Sequence, residues 1–278
     1  MLKQRVITAI IFAAIVATLI LLLPPRGLAV VFAALVLAAA YEWAALSGLE
    51  SVAAKGLYVM ALGALLAVSA WFLLPLPNID VYGLDALLRL TVGVWVLAAV
   101  AIVLYPRASR FWGMQAGIAY MGFVVLAPPW VALVYLRTLP GGELLVLYAI
   151  GLIAMADLGA YFSGRAFGGP RLMPRVSPAK TWSGCAGGLL ASVLFALAVG
   201  MAAGLSGTKL GQWLLLGGVT AAVSVVGDLL ESMVKRHAGL KDSGSLLPGH
   251  GGLLDRLDSL SAGMPIFALG LLHCGIFW

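Results

Sequence analysis

Apolar residues in this 278-residue chain gather into long runs, not into narrow stripes or period-2 alternation. Runs fall at 6–23, 28–46, 56–74, 90–105, 117–136, 144–161, 184–203, 210–230 and 261–277. About 18 apolar residues suffice to carry a helix across a hydrocarbon core of roughly 30 Å. The run at 90–105 is short unless residues 86–89 extend it. Lipid offers no partner to an unpaired backbone group, so the spans must be helices or a closed barrel. Without alternation the pattern predicts helices, about nine of them, in an all-α integral membrane protein. The first run exceeds a signal-peptide core of about 7–15 residues, and Pro24-Pro25-Arg26 follows it, so it is read as a span. Pro128-Pro129 should kink or break the fifth helix, because each proline removes a backbone donor.

Composition agrees with lipid as the solvent. The chain is 63% hydrophobic and 10% charged, where soluble domains carry about 25% charge. Cys185 and Cys274 lie in apolar runs, so neither a thiol metal motif nor a disulfide framework is expected. No soluble domain, internal repeat or nucleic-acid partner is indicated. With the N-terminus cytoplasmic, thirteen of the 17 Lys and Arg fall on the cytoplasmic side, as the positive-inside rule requires. That orientation puts two charged loops, 162–182 and 232–258, on one face. Residues 1–140 then read as a scaffold of about five spans, and 141–278 as a catalytic region of about four. Glu42 is read as part of the scaffold, a helix-end carboxylate reaching the interface.

Charge distribution says where the chemistry is. Nine of the chain's charged side chains lie between 228 and 258: Asp228, Glu231, Lys235, Arg236, Lys241, Asp242, Asp255, Arg256 and Asp258. His237 and His250 join them. Such a cluster at the membrane edge points to function. Asp228 and Glu231 share a helical face, and Asp255 and Asp258 repeat the spacing. Four carboxylates offer the hard oxygens that Mg²⁺ prefers; ion pairs with Lys235, Arg236 and Arg256 are the other use for them. Pro248–Gly252 is either an anion cradle or a tight turn. The second charged loop carries Asp157, Tyr161, Arg165, Arg171, Arg175, Ser177, Lys180 and Thr181 among glycines, a composition suited to polyphosphate.

From Ser232 onward the chain resembles the signature of the phosphatidate cytidylyltransferase (CDP-diacylglycerol synthase) family. The matching positions are Ser232, Lys235-Arg236, Lys241-Asp242, Pro248, His250-Gly251-Gly252, Asp255-Arg256 and Asp258. A second block matches at Asp157, Ala160-Tyr161, Gly164-Arg165, Ser177-Pro178, Lys180-Thr181 and Gly187-Gly188. It departs at Ser183, where the family usually has glutamate, and at Leu158, where it has a small hydroxyl residue.

The resemblance implies a bacterial-type inner-membrane enzyme that uses CTP and phosphatidic acid and releases pyrophosphate. It implies Mg²⁺, with the number of cations open, held by Asp228, Glu231, Asp255 and Asp258. Catalytic candidates are Asp228, Lys235, Arg236, Lys241, Asp242, His250, Asp255, Arg256 and Asp258. Substrate-binding candidates are Asp157, Tyr161, Arg165, Ser177, Lys180, Thr181, Ser232, Gly251 and Gly252. A homodimer is one open assembly state. Two rivals stand beside this reading: a related CTP-dependent lipid enzyme, such as a polyprenol kinase or archaeal-type CDP-lipid synthase, and a transporter. Charges crowded on one face favour an enzyme, since transporters place polar groups near mid-span and often show a repeat.

Overall fold

The computed structural model describes residues 2–73, 78–244 and 251–276. Its helices are α1 (Leu2–Leu22), α2 (Pro25–Leu46), α3 (Val52–Leu73), α4 (Val81–Val103), α5 (Ser109–Trp112), α6 (Gln115–Thr138), α7 (Gly142–Phe167), α8 (Trp182–Ala202), α9 (Gly207–His237) and α10 (Leu254–Cys274). Two short strands, β1 (Arg171–Met173) and β2 (Ser177–Thr181), form an antiparallel hairpin between α7 and α8. Among the described residues, eight helices are long and apolar enough to cross a membrane: α2, α3, α4 and α6 to α10. Helix α1 adds a shorter apolar segment, Ile11–Leu22. This is the all-helical membrane bundle expected, with the hairpin as an addition.

Several helices extend beyond the apolar runs that predicted them. Helix α4 begins at Val81, with Asp80 as N-cap accepting from the Gly83 amide at 3.1 Å. It tolerates Asp85 and Arg89 because they pair at 2.7 Å one turn apart. Helix α7 continues to Phe167, α9 to His237, and α10 starts at Leu254. The predicted loops therefore shrink. Residues 162–167, 232–237 and 254–258 are helical, and a hairpin fills most of 168–182. In α9 the extension is supported by Lys235 pairing with Glu231 at 2.9 Å and by Lys235, Arg236 and His237 at the negative end of the helix dipole.

The fifth span does not break. Helix α6 runs through Pro128 and Pro129 from Gln115 to Thr138. Residues 125–128 and 130–136 are buried against neighbouring helices, and tertiary packing holds the helix where two backbone donors are lost. Pro128 itself is buried.

Packing relies on small residues and on polar side chains that find partners, as expected in lipid. A methyl on Gly159 of α7 would lie 2.7 Å from the Gly187 carbonyl oxygen, and one on Gly188 of α8 would lie 2.5 Å from that of Ala156. These glycines bring α7 and α8 into backbone contact. Trp43 donates to the Ile118 carbonyl at 2.8 Å, Trp130 to that of Ala29 at 2.9 Å, and Trp213 to that of Ala196 at 3.0 Å. Tyr148 packs on Trp213, Phe267 and Phe195, with ring centroids 4.3, 5.5 and 5.6 Å apart.

Helices α9 and α10 come into backbone contact at Gly227. A methyl there would lie 2.4 Å from the Asp258 carbonyl oxygen and 3.0 Å from the Ala262 Cβ. Gly227→Ala should lower stability by about 1–3 kcal/mol, the usual range for overpacking. Thermal unfolding in detergent reads this out; an unchanged midpoint would mean that the two helices can slide apart freely.

Candidate active site

The charged residues come together at one end of the bundle, where α7 ends, α9 ends and α10 begins. They do so in layers, because the α9–α10 crossing sets which acids are level. Gly227 on the Asp258 carbonyl puts Asp228 and Asp258 at one depth. One helical turn further out, Glu231 faces Asp255 across the Lys235 ammonium.

The inner layer borders a cavity of about 550 Å³. Asp157, Tyr161 and Arg165 come to it from α7, Arg171 from β1, Lys180 and Thr181 from β2, and Asp228 from α9. Residues Gly184, Cys185 and Gly188 of α8 keep it open, since none carries a large side chain. Lys180 pairs with Asp228, whose second oxygen accepts from the Ser232 hydroxyl at 3.3 Å. Asp157 and Asp258 both lie within electrostatic reach of Asp228 and Lys180. Arg165 donates to the Tyr161 hydroxyl at 3.3 Å, and Arg171 to the Ala179 carbonyl at 3.3 Å. Leu158, Phe162 and Trp182, next in sequence to the lining residues Asp157, Tyr161 and Thr181, are exposed.

The hairpin places Lys180. Gly168 and Gly169 end α7 with positive φ of 59° and 100°. Buried Val176 closes the turn, its amide donating to the Met173 carbonyl at 3.1 Å. Thr181 then caps α8, its hydroxyl accepting from the Gly184 amide at 3.1 Å. Arg236 braces the turn by donating to the Val176 carbonyl at 3.4 Å. Ser183 bonds to the Gly168 carbonyl and the Thr181 hydroxyl, which ties the start of α8 to the end of α7.

In the outer layer Lys235 holds both Glu231 and Asp255, with side-chain exposures of 11%, 3% and 15%. Asp255 also accepts from the Ser243 amide at 3.2 Å and the Gly252 amide at 2.8 Å. Gly251 sits at φ 82°, where a side chain would be strained and its Cβ would lie 2.8 Å from Asp255 Oδ2.

Other candidates lie nearer the surface or outside the described residues. Lys241, Asp242 and Arg256 are exposed, and Ser177 is half-buried in β2. Pro248 and His250 lie outside the described residues.

Glu42 corrects the expectation made for it. It does not reach out to solvent but is 4% exposed. Its carboxylate accepts from the Ser243 hydroxyl at 3.2 Å and from the Leu253 and Leu254 amides at 3.1 and 2.8 Å. Sequence reasoning missed its role, although a signal was present. Positions 38, 39, 45 and 46 carry no base, so an acid in that helix had to find its partners elsewhere.

Among the described residues, no group of three or more His, Cys, Asp or Glu side chains is gathered at metal-binding spacing. The acids are held by lysines, one in each layer. The acids of both layers, Asp157, Asp228, Asp258, Glu231 and Asp255, are of the donor type that a hard cation such as Mg²⁺ takes, but here they are drawn to Lys180 and Lys235 and not to one shared point.

Carboxylates, one lysine and two arginines around a single cavity suit transfer of a charged phosphorus group. Known proteins agree. The model of the Cytidylyltransferase family matches residues 3–274. A phosphatidate cytidylyltransferase of Pseudomonas aeruginosa is 42% identical over 99% of this chain and 98% of its own. Those of Haemophilus influenzae and Brucella suis are 35% and 38% identical, each over 96% of this chain and over 98% and 92% of their own. With nearly the whole length matched, charged layers included, the chain belongs to the cytidylyltransferase family and is a nucleotidyltransferase.

Proposed function

We propose that the protein transfers a cytidylyl group from CTP to phosphatidic acid, giving CDP-diacylglycerol and pyrophosphate. The observation that carries this is the cavity, walled by Arg165, Arg171 and Lys180 at the end of a bundle of membrane-length helices, where exposed Leu158, Phe162 and Trp182 adjoin lining residues in sequence. A water-soluble triphosphate and a lipid phosphate can meet there. Names of relatives similar over their full length support the same pair of substrates.

The chemistry asks little of a nucleophilic side chain. An oxygen of the phosphatidate phosphate, ionised near neutral pH, attacks the α-phosphorus of CTP. The bond from that phosphorus to the bridging oxygen breaks, and pyrophosphate leaves with the electron pair. The protein must align two anions and offset their repulsion. Arg165, Arg171 and Lys180 are placed for this at the cavity, with Lys235 and Arg236 one turn beyond. Asp228 and Asp258, with Glu231 and Asp255 in the next layer, would hold Mg²⁺, which supplies further neutralisation of phosphate charge when bound. The positive-inside count supports a cytoplasmic active end, where CTP is found.

Purified protein given CTP labelled at the α-phosphorus and phosphatidic acid should move label to lipid with one pyrophosphate per label, and chelation should stop it. Pyrophosphate release with another lipid but not phosphatidic acid would name a different acceptor. Phosphorylated lipid with the label left in CDP would replace the reading with a kinase.

A further inference from the structure

Helix α10 begins with a difficulty. Its N-cap is Leu253, which has no side-chain acceptor. The first amides of a helix have no partner within it, and here they are buried: Leu253 is 5% and Leu254 1% exposed. Their acceptor comes from 211 residues away in the chain, the Glu42 carboxylate of α2. A carboxylate at this end also meets the positive end of the helix dipole.

Two glycines make room for it. A Cβ on Gly252 would lie 2.5 Å from one Glu42 oxygen, and a Cβ on Gly244 would lie 2.5 Å from the other. Gly252 belongs to the signature-like run, so one reason for a glycine there is the acid of a distant helix.

The grip is shared with the site. Ser243 gives its hydroxyl to Glu42 and its amide to Asp255. The turn into α10 gives its Gly252 amide to Asp255 and its Leu253 and Leu254 amides to Glu42. Asp255 in turn meets Lys235, and Lys235 meets Glu231. One unbroken set of polar contacts thus runs from a helix of the N-terminal half to the outer charged layer.

We propose that Glu42 is a positioning residue of the active site: it caps α10 in trans and fixes the direction in which Asp255 and Lys235 face the substrates. It touches no substrate itself. The proposal rests on the cytidylyltransferase reading for its kinetic consequence but not for its structural one.

Both sides are testable in the purified full-length protein. Glu42→Gln keeps size and shape but turns a two-oxygen acceptor into a group with one donor end, which must oppose an amide or hydroxyl. Losing hydrogen bonds to a charged group should raise KM for CTP about tenfold or more and lower kcat by a similar factor. KM for phosphatidic acid should stay within about twofold, and the melting temperature should show folded protein. Amide exchange at 253–254 should speed up, whatever the substrates prove to be. Ser243→Ala, which removes one of the three bonds, should raise KM for CTP by about threefold to tenfold, and it decides the matter if Glu42→Gln does not fold. A folded Glu42→Gln protein with unchanged constants and exchange overturns the proposal. So does loss of active protein with normal KM in what is left, or a wild-type Ser243→Ala protein. If the unsubstituted protein transfers no label to phosphatidic acid, the function reading fails, and the exchange result still judges the role of Glu42.

Discussion

Asp228→Asn should lower cytidylyl transfer by about a hundredfold to a thousandfold while leaving the fold in place, the scale of losing one charged contact at a reacting centre. Asparagine has the shape of aspartate, so the Ser232 contact at 3.3 Å can persist. What disappears is one negative charge at the wall of the cavity, beside Lys180 and within reach of Asp157 and Asp258. Lys180 then faces the cavity with less to direct it, and any cation loses an oxygen donor of full charge. Both effects fall on phosphate alignment and not on packing. Turnover is measured with saturating CTP and phosphatidic acid, and folding by thermal unfolding. Lys55→Ala, in the scaffold, is the control. Turnover within about threefold of wild type would remove Asp228 from the catalytic machinery.

The largest loss of stability is expected at Lys235. This lysine is 11% exposed and lies between Glu231, 3% exposed, and Asp255. Breaking a buried ion pair by removing one partner costs about 3–5 kcal/mol, because the remaining charge has nothing to offset it. Here two carboxylates are left facing each other. Lys235→Met keeps the volume and flexibility of the chain, so lost packing adds little. The unfolding midpoint should fall by many degrees and activity should go with it. Lys235→Met with Glu231→Gln should recover part of the stability but not the activity. If Lys235→Met is as stable as wild type, the outer layer contributes nothing to the fold.

These expectations draw unequally on sequence and structure. The helical membrane bundle and the family could be read from the runs and the charged blocks alone, since lipid leaves a chain few choices and fixed polar spacings are hard to mistake. Element ends could not. The run at 90–105 could be extended over 86–89, but a start as early as Val81 and an end of α9 as late as His237 rest on the Asp85–Arg89 and Glu231–Lys235 pairs, which the apolar pattern does not show. The layering of the acids was also hidden. Sequence spacing paired Asp228 with Glu231 and Asp255 with Asp258, whereas the crossing at Gly227 matches Asp228 with Asp258 and Glu231 with Asp255. Glu42 was missed because the absence of a base on its own helix says that its partners lie elsewhere but not where, and they lie some 200 positions away.

The rings around Tyr148 have one more consequence. Tyr148 and Phe267 each stand nine residues from a charged partner, Asp157 and Asp258, or about 13 Å along their helices. Trp213 is farther from Asp228 on α9. The charged end of the protein therefore rests on an aromatic floor. Such a floor is an insulator. A bundle can hold acids, bases and an open cavity at one end and still pass no current, so phosphate chemistry there need not discharge a membrane potential.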